Sequence, residues 1–219
     1  MLLIRRLFNL IILFMQIKPI LLLFFSSLSV AAVAQENYFY LNWDINTPVT
    51  NTEWIGNTSA RGAKIGYRMF IGRERRFSGG LDFNWGQFDE YKPKETFENS
   101  TGAITTDYFN YVRQYGLTVS GQYYFPVGEK ERLFPYVGVG AGANRNEYLV
   151  YYNIYQDNDK AWGFVARPEA GILVRIGSRR RVGLMAAVHY DYSTNKSETY
   201  NYSNFSTVGF QIGIMSMQW

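Results

Sequence analysis

One short stretch of the 219-residue chain carries the residue types of a hydrolase: HYDYSTN at 189–195. His189 could act as base, Asp191 as the carboxylate that orients it, and Ser193 as nucleophile. His189 is the sole histidine and the chain has no cysteine. A multi-histidine or cysteine-ligated metal site therefore cannot be assembled, and no disulfide can form; no metal and no cofactor are expected. A second constellation is electrostatic: Lys64, Arg68, Asp82, Arg167, Glu169 and Asp191. Such a set suits an interior network of ion pairs, or a path for small ions through the same groups. A third is aromatic: Trp43, Trp85, Trp162 and Trp219, the side chain that collects where apolar and aqueous phases meet.

A period of two positions these residues. In NYFYLNWDIN (37–46), Phe39, Leu41, Trp43 and Ile45 alternate with Tyr38, Tyr40, Asn42 and Asp44. Successive side chains of a strand point to opposite faces, so the segment has one apolar and one polar face. The same alternation runs through AKIGYRMFIG (63–72), GLDFNWGQF (80–88), RQYGLTVSGQYYF (113–125), FPYVGVGAGAN (134–144), WGFVARPEAGILV (162–174), VGLMAAVHYDY (182–192) and the final STVGFQIGIMSMQW. That makes eight strands, each near the ~9–11 residues a tilted strand needs to cross a bilayer. All six charged residues of the second constellation fall on the polar face, as does His189. Connectors alternate between short (73–76, 126–132, 177–181) and long, polar and Tyr-bearing (47–61, 89–106, 145–160, 193–205). This is an up-and-down meander with short turns at one end. EYLVYYNIYQ (147–156) still alternates, so the fifth strand is expected to extend beyond the barrel wall. Trp54, Tyr91, Tyr148, Tyr151, Tyr152, Tyr155, Tyr200 and Tyr202 sit in the long connectors and are available for surface contact.

The glycines decide which face looks inward. Gly66, Gly86, Gly116, Gly138, Gly140, Gly142, Gly163, Gly171 and Gly183 share the polar face. Small residues belong where space is scarce, and an eight-stranded bore is only wide enough for side chains to fill. The polar face is therefore the lumen, and the apolar face, with its tryptophans, meets lipid. Lipid leaves no strand edge satisfied, so the last strand must pair with the first. Two irregularities stand out. Pro168 lacks a donor, and Met215, Met217 and Trp219 take the opposite parity to Ile212 and Ile214, which a bulge near Met215 would reconcile.

The first 34 residues differ in kind. Arg5, Arg6 and Lys18, apolar runs and Ala32-Val33-Ala34 before Gln35 read as a secretory signal peptide cleaved after Ala34, with Met15 a plausible true start. Without that leader the chain carries 19 basic and 18 acidic residues, so nothing in its charge points to nucleic acid. Residues 35–219 make one domain by length.

Signal peptide, eight alternating strands, short turns and terminal Trp219 together resemble the small eight-stranded outer-membrane barrels of the OmpX/OmpA type found in Gram-negative bacteria. The resemblance implies an all-β, antiparallel up-and-down transmembrane barrel in the bacterial outer membrane. It implies outer-membrane lipid and lipopolysaccharide as surroundings, barrel-assembly machinery reading the C-terminal strand, and a monomer. The role expected is non-enzymatic, structural or surface-interacting and adhesion-like, with the lumen plugged by polar side chains. HYDYSTN in turn resembles the His-Tyr-Ser-Asn stretch of lipid A deacylases, which implies, as an alternative, an envelope-lipid hydrolase using His189 and Ser193. In that family's stretch no residue stands where Asp191 and Tyr192 interrupt this one. A small-solute channel is the third reading.

Overall fold

The computed structural model describes residues 36–218 apart from 73, 100–101, 128–131, 153–154, 178–180 and 201–202; the signal peptide expected over 1–34 and Trp219 lie outside the described residues. The alternating segments become β1 (Asn37–Pro48), β2 (Gly62–Ile71), β3 (Phe77–Asn99), β4 (Gly102–Tyr124), β5 (Leu133–Tyr152), β6 (Tyr155–Ile176), β7 (Val182–Ser193) and β8 (Thr207–Gln218). Each pairs antiparallel with the next, and β8 returns to β1, closing the ring. That last seam runs unbroken from Asn37↔Gln218 to Pro48↔Thr207. Closure leaves no strand edge in the wall, which is what hydrocarbon demands of a sheet.

Parity sorts the side chains as the alternation requires. Phe39, Leu41, Trp43, Leu117, Val119, Val139 and Ile214 point outward and are exposed, while Lys64, Arg68, Asp82 and Arg167 point inward and are buried. In water this would be inside out; against lipid it is the stable arrangement. At the short-turn end, β2 and β6 both finish in Ile-Gly. Gly72 and Gly177 take φ of 83° and 80°, a left-handed turn that glycine adopts without strain.

Two expectations need correction. The stretch 89–106 is mostly strand rather than loop, with β3 and β4 paired out to Asn99↔Gly102, whereas the extension expected of the fifth strand is present, β5 and β6 pairing out to Tyr152↔Tyr155. Above the lipid both faces of a strand meet water, so a polar composition does not distinguish strand from loop there. The cross-strand Thr96–Thr105 hydroxyl bond at 2.8 Å is the local stabiliser. No bulge occurs at Met215, for the pairing to both neighbours keeps one register through it. Met215 and Met217 simply face inward and are buried. Pro168 keeps register too: Val139 faces it from β5, while on the β7 side the pairing lapses between Ala166↔Tyr192 and Glu169↔His189 and resumes unshifted.

Candidate functional site

The charged residues gather in one layer across the middle of the lumen. Lys64 reaches Glu169 at 2.8 Å and Asp82 at 3.8 Å; Arg68 reaches Asp82 at 2.8 Å and Glu169 at 3.6 Å. Tyr40 and Ser120 donate their hydroxyls to Asp82 at 2.6 and 2.5 Å. Glu169 also accepts from Gln122 and, at 3.1 Å, from Gln211. Beside this group Arg167 grips both oxygens of Asp191 and lies 3.4 Å from Asp44. On β5, Gly138 stands opposite Glu169 and Gly140 opposite Arg167 in the ladder, and a Cβ at 138 would collide with Gln122 of β4, a member of the layer. The six residues singled out from parity all lie in this layer. Asp44, Gln122, Ser120 and Gln211 were missed; Asp44 shares the parity of Tyr40 and Asn42, which was the available signal.

The bore is not polar throughout. Below the charged layer Tyr38, Phe70, Tyr124, Phe134, Met185 and Met215 belong to one buried apolar cluster. Above it Ile55, Phe88, Val112, Tyr148, Ala161 and Phe205 form a second, with Trp54 and Tyr200 packed on it. Ile55 and Phe205 come from the two long loops, which fold inward over the barrel mouth. Trp54 lies 5.9 Å from the Tyr148 ring and 5.3 Å from Tyr200, so these three aromatics plug the mouth and are not displayed. Glu90 anchors the same loop. Burial works to raise its carboxyl, but bonds from Lys92 and from the Gly56 N–H outweigh that and hold it below the usual carboxylate range. Among the displayed aromatics are Tyr91 and Tyr155; Tyr202 lies outside the described residues.

The hydrolase constellation is not assembled. His189 and Ser193 share a face of β7 four residues apart, which at strand rise is about 13 Å. His189 Nε2 meets Asn46 Oδ1 at 2.9 Å. Ser193 donates to Asn195 and accepts from Asn144 at 2.8 Å. Asp191 is committed to Arg167. All three are buried in the lumen, away from any lipid approaching the outer wall. Ser193→Ala and His189→Ala are each expected to leave the acylation of lipid A in expressing cells unchanged relative to wild type, read by mass spectrometry. A lost acyl chain that returns in Ser193→Ala would contradict this geometry. Among the described residues no group of three or more His, Asp or Glu is placed to hold a metal ion.

On the outer wall the tryptophans fall in one line of cross-strand pairs: Trp43↔Ala63↔Trp85↔Tyr115↔Arg145↔Trp162. Trp43 and Trp162 are exposed and Trp85 half-buried. A family model for the outer membrane protein beta-barrel domain matches residues 20–215. The chain belongs to that family. Membership places this outer-membrane barrel in the bacterial envelope's outer bilayer. Among solved structures it is similar to Ail, the attachment invasion locus protein of Yersinia pestis, crystallised with the heparin analogue sucrose octasulfate: 13% identity, 85% of this chain and 100% of that one, TM-score 0.50. Neisserial surface protein A is similar at 14% identity over 83% and 96%, TM-score 0.48. So is the outer membrane protease OmpT of Escherichia coli, at 6% over 85% and 98%, TM-score 0.42. Identities this low speak for the fold alone. No curated protein matches the chain.

Proposed function

We propose that this barrel is a non-enzymatic, monomeric surface-interaction protein whose binding element is the fin formed by β3–β6 above the mouth. On this reading residues 1–34 are the export leader, cleaved after Ala34, and β8 is read by the assembly machinery. The observation that carries the proposal is the fin's outer face. Tyr91 stacks on Phe109 at 5.2 Å, Phe109 on Tyr111 at 6.4 Å, and Tyr111 on Tyr151 at 5.3 Å, a rigid aromatic ladder in water. Rigid aromatics give contact area at low entropic cost, and no folding requirement explains a row of them facing solvent. Residues 89–113 and 145–160 hold eight acidic and five basic residues, so the fin carries a net negative charge that favours a neutral or basic protein surface. The buried clusters above and below the charged layer argue against conduction.

The test is a truncation. Replacing 89–111 with a two-residue Asn-Gly turn between the paired Phe88 and Val112 removes Tyr91, Phe109 and Tyr111 and keeps the register of the wall. Wild-type protein in nanodiscs is expected to bind members of a panel of basic extracellular proteins, the truncated form none, and neither to give conductance steps in planar bilayers. Equal binding by both forms, or reproducible steps, would overturn the proposal.

A further inference from the structure

We propose that the outer wall carries a specific seat for one phosphorylated glycolipid of the lipid A type, made by Arg145, Trp162, Tyr115 and Ala143. The inference rests on the outer-membrane reading and deepens it. Two cross-strand rows build the seat. The lower row is Phe83↔Leu117↔Ala143↔Phe164 and the upper is Trp85↔Tyr115↔Arg145↔Trp162. Ala143 is the one small side chain in the lower row, and its shortness leaves a trough between the walls raised by Tyr115 and Trp162. The trough has a volume of about 460 Å3 and is mostly apolar, with Phe83 and Leu117 on its floor. That lies within the ~300–1,000 Å3 typical of small-ligand sites.

The upper end of the trough is charged. Arg145 lies over the Trp162 ring at 5.9 Å and pairs with Glu147 at 3.0 Å. One row higher, Glu147 is flanked across the strands by Arg113 and Lys160. Three cations thus face a single carboxylate at the end of the trough away from the short turns. The guanidinium is held rigid by its ring and its carboxylate, and the excess positive charge is free for a ligand. A phosphate is the matching group, because guanidinium offers it two parallel donors. A headgroup phosphate at Arg145 with an acyl chain lying down over Ala143 satisfies both ends of the seat. Outer-membrane barrels keep their short turns in the periplasm and their long loops outside, so a position toward the long-strand end lies in the outer leaflet, where the occupant is a phosphorylated glycolipid.

The experiment uses the refolded full chain in detergent, native mass spectrometry, and three probes: hexa-acylated bisphosphoryl lipid A, the same lipid with both phosphates removed, and phosphatidylglycerol. Wild type is expected to retain one lipid A under conditions that strip the other two. Arg145→Gln removes a charge-assisted contact and is expected to weaken retention about tenfold or more. Ala143→Trp fills the trough without altering charge and is expected to do the same, whereas Val188→Trp, on β7, changes nothing. Heat-modifiable gel mobility of each variant shows that its barrel has closed. Equal retention of dephosphorylated lipid A or phosphatidylglycerol, or unchanged retention in closed Arg145→Gln and Ala143→Trp barrels, would overturn the seat and leave the outer-membrane reading standing. Recovery of the expressed chain outside the outer-membrane fraction would overturn that reading and the seat with it.

Discussion

Arg68→Ala is expected to cost the barrel about 3–5 kcal/mol, the range for breaking a buried ion pair by removing one partner. Arg68 is fully buried. Its guanidinium donates to Ser120, to Tyr40 at 3.2 Å and to Asp82 at 2.8 Å, and lies 5.4 Å from the Tyr40 ring centre. Truncation leaves the Asp82 carboxylate with Lys64 at 3.8 Å as its remaining cation. It also unbalances the layer, in which Asp44, Asp82, Glu169 and Asp191 already face Lys64, Arg68 and Arg167. The loss is then a desolvated charge together with a cavity, and both have the same sign. The double variant Arg68→Met, Asp82→Asn is expected to recover most of the loss. It removes both charges, fills the space, and keeps an acceptor for Tyr40 and Ser120. Urea midpoints of tryptophan emission in liposomes measure the three proteins. If Arg68→Ala matches wild type, the layer contributes nothing. If the double variant is no better than the single one, the loss comes from packing and not from the uncompensated carboxylate.

The layer shows where the sequence was legible and where it was not. Parity alone put Lys64, Arg68, Asp82, Arg167, Glu169 and Asp191 on one face, because a strand obeys its period wherever one side meets lipid. Their pairing was hidden. Arg167 and Glu169 are neighbours on β6, yet Arg167 goes to Asp191 and Asp44, while Glu169 goes to Lys64, across the ring. Partners across a bore depend on how the eight strands stagger, and alternation within one strand carries no record of that. The apolar plugs were hidden for another reason. Tyr38, Tyr124 and Tyr136 lie on the face that parity called polar, but each presents a ring to the cluster as well as a hydroxyl. Ile55 and Phe205 stand in loops, where no period exists to read. Beyond the bilayer that constraint weakens: 147–156 still alternates and reads as strand, whereas the polar run 89–99 of β3 has no alternation to read.

The largest single effect is expected at Gly142, where two local rules give opposite signs. Valine is favoured in strands by up to about 1 kcal/mol and glycine is disfavoured, so propensity predicts that Gly142→Val stabilises β5. Packing predicts failure. A Cβ at 142 would stand 2.0 Å from the Leu117 carbonyl oxygen and 2.8 Å from the Thr118 Cα. Those are backbone atoms of β4, and no rotamer change moves them aside. The paired strands would have to separate, in a ring whose closure depends on every pair. Overpacking a core costs about 1–3 kcal/mol when side chains can adjust; here the collision is with the ladder itself, so Gly142→Val is expected to yield no heat-modifiable, outer-membrane form. Gly121→Val is the counterpart. It lies on β4 facing outward, and the nearest atom to its Cβ is 3.8 Å away, so propensity acts unopposed and the variant is expected to fold as wild type. If the two behave alike, the glycines of the inner face are not there to let strands approach. If they differ as expected, close approach at Gly142 and the crowding of Gly138 against Gln122 of β4 have one cause: a bore of eight strands cannot hold a charged layer and a full set of Cβ atoms together.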